Sequence, residues 1–174
     1  MVANGLKKNG LYCLQLEESE GYRDVWNIVK ETVKNFLGKS RVGMMLFLDD
    51  LPLSLGAYHP VGTNNIVLNK SLVELVETTV KSKLEVKAFI YTLLVHEYLH
   101  ALGYLSEDEV RHLVLRISRA CFGESHIATG LAQNGPWALL KGVPINGLPT
   151  PKGAMEIVKD FEQVENELDQ DCDA

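Results

Sequence analysis

Long hydrophobic runs are missing from this 174-residue sequence. No apolar stretch reaches the roughly 20 residues that a helix needs to cross a bilayer. The segment Met1 to Gly10 carries Lys7 and Lys8 with no hydrophobic stretch behind them, which argues against a secretory leader. Cysteine is scarce as well. Cys13, Cys121 and Cys172 are odd in number, widely spaced and form no CxxC pair. That pattern excludes a disulfide framework and a thiolate zinc site, and it fits reduced thiols in the cytoplasm. Positive charge is in deficit, with 17 Lys and Arg against 23 Asp and Glu and a formal net charge of -6. A general nucleic-acid-binding surface is therefore not expected, and neither is a membrane partner. Internal repeats and domain linkers are absent too. With 46% hydrophobic residues, the sequence suffices for one domain with a genuine core over residues 1–174. Its end, about 165–174, reads as a flexible acidic tail in which Glu165, Glu167, Asp169, Asp171 and Asp173 alternate with polar or small residues.

What is present divides into short elements. The alternation within Leu11 to Leu16 predicts a short strand. Tyr22, Val25, Trp26, Ile28, Val29, Val33, Phe36 and Leu37 recur at helical spacing after Ser19 and stop at Gly38, a C′ glycine. Val42 to Leu48 is an apolar run of strand length, followed by a loop through Gly56, His59, Pro60 and Gly62. Asn65 to Asn69 reads as another strand. The capping-box form S-x-x-E occurs at Ser71/Glu74, Ser82/Glu85 and Ser106/Glu109. It predicts a helix after Ser71, a long one over about 85–102 ending at Gly103, and one over about 107–121. Beyond Phe122, frequent Gly and Pro leave short helices over about 127–133 and 136–141, with Trp137 anchoring the segment. Met155, Ile157, Val158, Phe161, Val164 and Leu168 predict a last helix over 153–168.

The long helix contains His96-Glu97-Tyr98-Leu99-His100, the pattern H-E-x-x-H. Residues i and i+4 project from one helix face, so both imidazoles can reach one metal ion. Glu97 follows the first histidine directly, the spacing that sets a carboxylate beside a water activated by the metal. Two histidines and an acid in an otherwise apolar helix are costly to bury without such a purpose.

With strand 65–69 before this helix, His96-Glu-Tyr-Leu-His100-Ala-Leu-Gly103 within it and an acid-led helix from Ser106-Glu-Asp-Glu109 after it, the region from Asn65 to about Leu113 resembles the zincin metallopeptidases. The likeness is greatest to small intracellular zincin-like proteins and more distant to minimal gluzincins. The third ligand departs from the larger clans. Ser106 stands where a metzincin has its third histidine, and Glu124 has Ala128 where a thermolysin-like ExxxD needs aspartate. Helical geometry narrows the choice. Glu107 lies about 60° from Val110, on the side that Val110, Leu113, Val114, Ile117 and Cys121 define as buried. We therefore expect Glu107 as the third ligand, with Glu109, Asp108, His112, His126 and Glu124 as alternatives.

The resemblance implies an α/β (α+β) zincin-like domain, a short mixed sheet packed on the active-site helix. It implies a zinc-dependent peptidase with Zn2+ as cofactor and a peptide or protein as substrate. His96, His100 and Glu107 would be ligands and Glu97 the general base and acid. Tyr104, His112, His126, Arg111 and Tyr98 are candidates to face the oxyanion. Substrate would pair with the strand Asn65, Ile66, Val67, Leu68 and Asn69, and His59 borders the site only as a lesser expectation. The alternative reading is a catalytically idle zinc-binding domain that recognises a peptide or a partner protein through the same cleft. Nothing in the sequence speaks to oligomeric state.

Overall fold

The computed structural model describes residues 2–149 and 151–162. Along the chain come α1 (Val2–Glu18), α2 (Gly21–Leu37), β1 (Met45–Asp49), β2 (Ala57–Tyr58), β3 (Asn65–Asn69), α3 (Lys70–Thr79), α4 (Lys83–Ala101), α5 (Glu107–Phe122), α6 (Ile127–Asn134), a 3-10 helix (Pro136–Leu140) and β4 (Glu156–Ile157). The result is a mixed α/β fold. No helix among the described residues is long and apolar enough to cross a membrane.

α4 is the axis of the molecule. Phe89, Tyr91, Leu94, Val95, Tyr98 and Leu99 are all fully buried, and they point in every direction around the helix. A helix apolar all round must be enclosed by other elements. α4 accordingly packs on α1, α2, α3, α5 and α6 and on strands β2 and β3. Its start is fixed by a complete capping box, with Ser82 Oγ accepting from Leu84 N and Glu85 Oε2 accepting from Ser82 N.

The sheet has the order β2-β3-β1-β4, with β1 and β3 parallel and the two outer pairings antiparallel. β3 is thus interior. Ala57 and Tyr58 pair with Leu68 and Val67 on one side while β1 covers the other. This corrects the expectation that Asn65 to Asn69 binds substrate. Ile66, Val67 and Leu68 are buried, and the Asn65 carbonyl bonds to His59 Nδ1. Asn69 is fully buried, and its amide donates to the carbonyls of Leu51, Pro52 and Leu55. Asn69 also caps α3, so the Ser71 capping box does not form. Ser71 bonds to Asp50 instead. The free edge beside α4 is β2, brought in by Gly56. A Cβ added there would lie 2.7 Å from Leu93 Cδ2, so any larger residue at this position requires the Leu93 side chain to shift.

Two other expectations are corrected. Leu11 to Leu16 is helical, within α1. Tyr12, Leu16 and Ser19 are buried at i, i+4 and i+7, a helical stripe that the four-residue alternation concealed. Residues 153–162 form no helix but an extended strap. Ile157 pairs with Phe47 of β1 while staying 53% exposed, so its apolar spacing marks no buried helix face. Phe161 alone docks fully, stacking on Trp26. Residues 163–168 of that expected helix, the acidic stretch 165–174 and Cys172 lie outside the described residues.

Candidate metal centre and cleft

Local sequence rules assemble the centre. α4 ends in a Schellman motif, in which Tyr104 N–H donates to the Leu99 carbonyl at 3.1 Å and Gly103 N–H to the His100 carbonyl at 3.0 Å. Gly103 adopts φ +100°, a region that side chains disfavour. The turn brings the Tyr104 carbonyl 2.7 Å from His100 Nδ1. A carbonyl only accepts, so Nδ1 carries the proton and, in the neutral ring, Nε2 keeps its lone pair free for a ligand. Gly103→Ala is expected to cost about 1–2 kcal/mol of stability and to weaken metal binding by roughly tenfold or more through loss of this orienting bond. Thermal unfolding and a competitive zinc titration check the two effects separately.

The same turn starts α5 over the site. Ser106 Oγ caps the helix by accepting from Glu109 N, and Glu107 swings toward α4. Its Oε2 lies 3.1 Å from His96 Nε2 and its Oε1 2.9 Å from His100 Nε2, while the two Nε2 atoms are 3.2 Å apart. Two lone-pair atoms, His100 Nε2 and Glu107 Oε1, therefore face each other. That contact requires either an extra proton on His100 or a shared cation. A tetrahedral ion with bonds of about 2.0–2.1 Å holds its ligand atoms about 3.3–3.4 Å apart. The two Nε2 atoms, 3.2 Å apart, are close to that spacing, and the Glu107 carboxylate lies beside both, so two imidazole nitrogens and a carboxylate form a triangle of groups that could hold a divalent metal. Burial pushes the His96 imidazole below its ordinary value, against the pull of Glu107, and so favours the neutral, ligating form.

Glu97 stands outside the triangle but opens onto the same cleft. It is 7% exposed, and burial pushes its carboxyl up to about 7. The charge of Glu107 adds to the rise, while His100 and the backbone N–H of His59 oppose it. A buried carboxyl held near neutrality both takes up and releases a proton readily. His59 thus borders the site through its backbone, at the end of β2.

The cleft measures about 650 Å³. Its walls are α4, α5, Leu55 with Ala57 of β2, and the segment running from Leu131 in α6 to Trp137. Trp137 does anchor that segment, donating Nε1–H to the Leu53 carbonyl at 3.0 Å. Of the oxyanion candidates, Arg111 and His112 line the cleft. Tyr98 is buried behind α4 against the backbone of Arg41, and the Tyr104 ring lies under Lys39. His126 caps α6 and stacks on Phe122. Among the other possible third ligands, Glu124 pairs with Arg119, and Asp108 and Glu109 are exposed and outside the triangle.

No protein-family model, curated protein or solved structure significantly matches this chain. The centre stands on its own geometry.

Proposed function

We propose that the protein is a zinc-dependent peptidase of zincin type. One observation carries this reading. His96 Nε2 and His100 Nε2 lie 3.2 Å apart, and the Glu107 carboxylate faces both, Oε2 at 3.1 Å from His96 and Oε1 at 2.9 Å from His100, with Glu97 buried in the adjoining cleft. His96, His100 and Glu107 would hold the zinc. Bound there, zinc would supply Lewis acidity, lowering the pKa of a water and polarising a carbonyl. Glu97 accepts the proton of the attacking water on its carboxylate and delivers it to the leaving amine. The β2 edge at Ala57 and Tyr58, beside α4, is the surface on which an extended peptide would add as a strand. Trp137 and the leucines of the cleft wall would take its apolar side chains.

The first test is elemental analysis after purification without a metal-affinity tag. About one zinc per chain is expected in wild type, and in His100→Ala a loss of stoichiometric zinc. Zinc-loaded wild type should cleave unstructured peptides and stop on chelation. Stoichiometric zinc with no cleavage across a peptide library would favour the catalytically idle domain instead. No zinc in either protein, even after soaking, would remove the metal reading altogether.

A further inference from the structure

Arg111 is a cation with no ion-pair partner among the described residues. It lies one helical turn beyond Glu107 on α5, about 6 Å further along the axis, and it lines the cleft that contains Glu97. Its natural i−4 partner is Glu107, but that carboxylate is committed to His96 and His100. The remaining described ion pairs join Lys30 to Glu162, Lys70 to Glu156 and Arg119 to Glu124. Among the described residues, no carboxylate or carbonyl bonds to the Arg111 guanidinium. The chain carries a net charge of -6, so acidic partners are plentiful, yet this cation is left open beside the centre. Next to it the cleft wall is apolar, formed by Leu93, Leu115, Leu131 and Trp137.

We infer that Arg111 is a specificity-determining residue that binds a carboxylate of the peptide substrate, one or two residues from the bond at the metal centre and next to an apolar side chain. The 6 Å step from Glu107 corresponds to about two residues of extended peptide at about 3.4 Å each. A guanidinium fork matches a carboxylate with two parallel N–H donors. The carboxylate has two sources in a peptide, the C-terminus or an Asp or Glu side chain. This inference rests on the cleft being a peptide site.

The test uses four N-acetylated pentapeptides of one apolar sequence, with Glu or Gln at the fourth position and a free acid or carboxamide at the end. Their binding to zinc-loaded Glu97→Gln protein is measured by calorimetry, and their hydrolysis by wild type by chromatography. One carboxylate is expected to tighten binding about tenfold or more, and comparison of the four identifies whether it is terminal or side-chain. Arg111→Gln should abolish that preference, and Arg111→Lys should retain part of it. In hydrolysis, Arg111→Gln should raise KM with kcat within about threefold. Equal binding of charged and neutral peptides, no binding of any, a preference that survives Arg111→Gln, or a fall in kcat at unchanged KM overturns the assignment. Carboxylate-dependent binding with no hydrolysis by wild type overturns the catalytic reading and leaves the carboxylate subsite standing.

Discussion

Glu97→Gln is expected to lower the kcat of peptide hydrolysis by about 10²–10⁴-fold, the range set by removing a positioned general base, while zinc content stays at that of wild type. The two halves of the prediction have separate structural grounds. The ligating atoms come from His96, His100 and Glu107, and Glu97 is not among them. Glutamine keeps the volume of the side chain and its reach to the His59 backbone, but it takes up no proton. Stability offers a third, independent readout. Glu97 is 7% exposed, and a buried neutral amide costs less than a buried carboxylate. The variant should therefore unfold at a temperature no lower than wild type. Loss of activity with zinc and stability intact assigns the proton transfer to Glu97. Activity within a few-fold of wild type would show that another group moves the proton, and loss of zinc would show that Glu97 helps to hold the ion. Glu97→Asp adds a distance check, since a carboxylate withdrawn by one methylene should recover only a minor part of the rate.

The parts of this centre that were legible beforehand are those fixed within a few residues. The i and i+4 spacing of His96 and His100 needs only a helix, and Ser82 with Glu85 supplies its start. Gly103 ends it in a turn so tight that the first acid of α5 comes back near His100, which is why that turn and helical angles together favour Glu107 over the alternatives. What escaped was decided by contacts distant in sequence. β2 is two residues long and exists because Ala57 and Tyr58 pair with β3 and because Gly56 can press against Leu93, so no local pattern announces it. Missing β2 made β3 look like an edge. The wall from Leu131 to Trp137 is pinned by the Trp137 bond to Leu53, 84 residues away in sequence, so the short helices expected there carry no sign that the segment lines the cleft. The stretch after Gly153 misled in the opposite direction. Its apolar residues dock one at a time, Ile157 on a strand and Phe161 on an indole, and their helical spacing has no helix behind it.

That strap leads to the second large effect, on the packing behind α4. Trp26 is fully buried between Phe161, stacked at 4.7 Å, and Tyr98 of the HExxH segment, edge-on at 4.8 Å. Its Nε1–H donates to Glu162 Oε2 at 3.2 Å, and the same carboxylate accepts from Gly43 N and Met44 N at 2.9 and 3.0 Å. One side chain thus joins α2, the entry to β1, the strap and the back of α4. Trp26→Ala is expected to cost about 3–5 kcal/mol, which for a chain of this size lowers the melting temperature by roughly 10 °C or more. Trp26→Phe retains part of the apolar contact, loses the N–H and leaves a small void where the indole was wider. It should cost about 1–3 kcal/mol, because Glu162 keeps its two backbone donors. The variants also separate scaffold from site. Tyr98 faces Trp26 on the side of α4 away from the cleft, whereas His96, Glu97 and His100 face the centre. The ligands are oriented by the Gly103 turn and by Glu107, neither of which touches Trp26. Well below its transition, Trp26→Ala should therefore bind zinc within about threefold of wild type. A much larger loss would mean that the aromatic packing behind α4, rather than the turn at its end, holds the histidines in register.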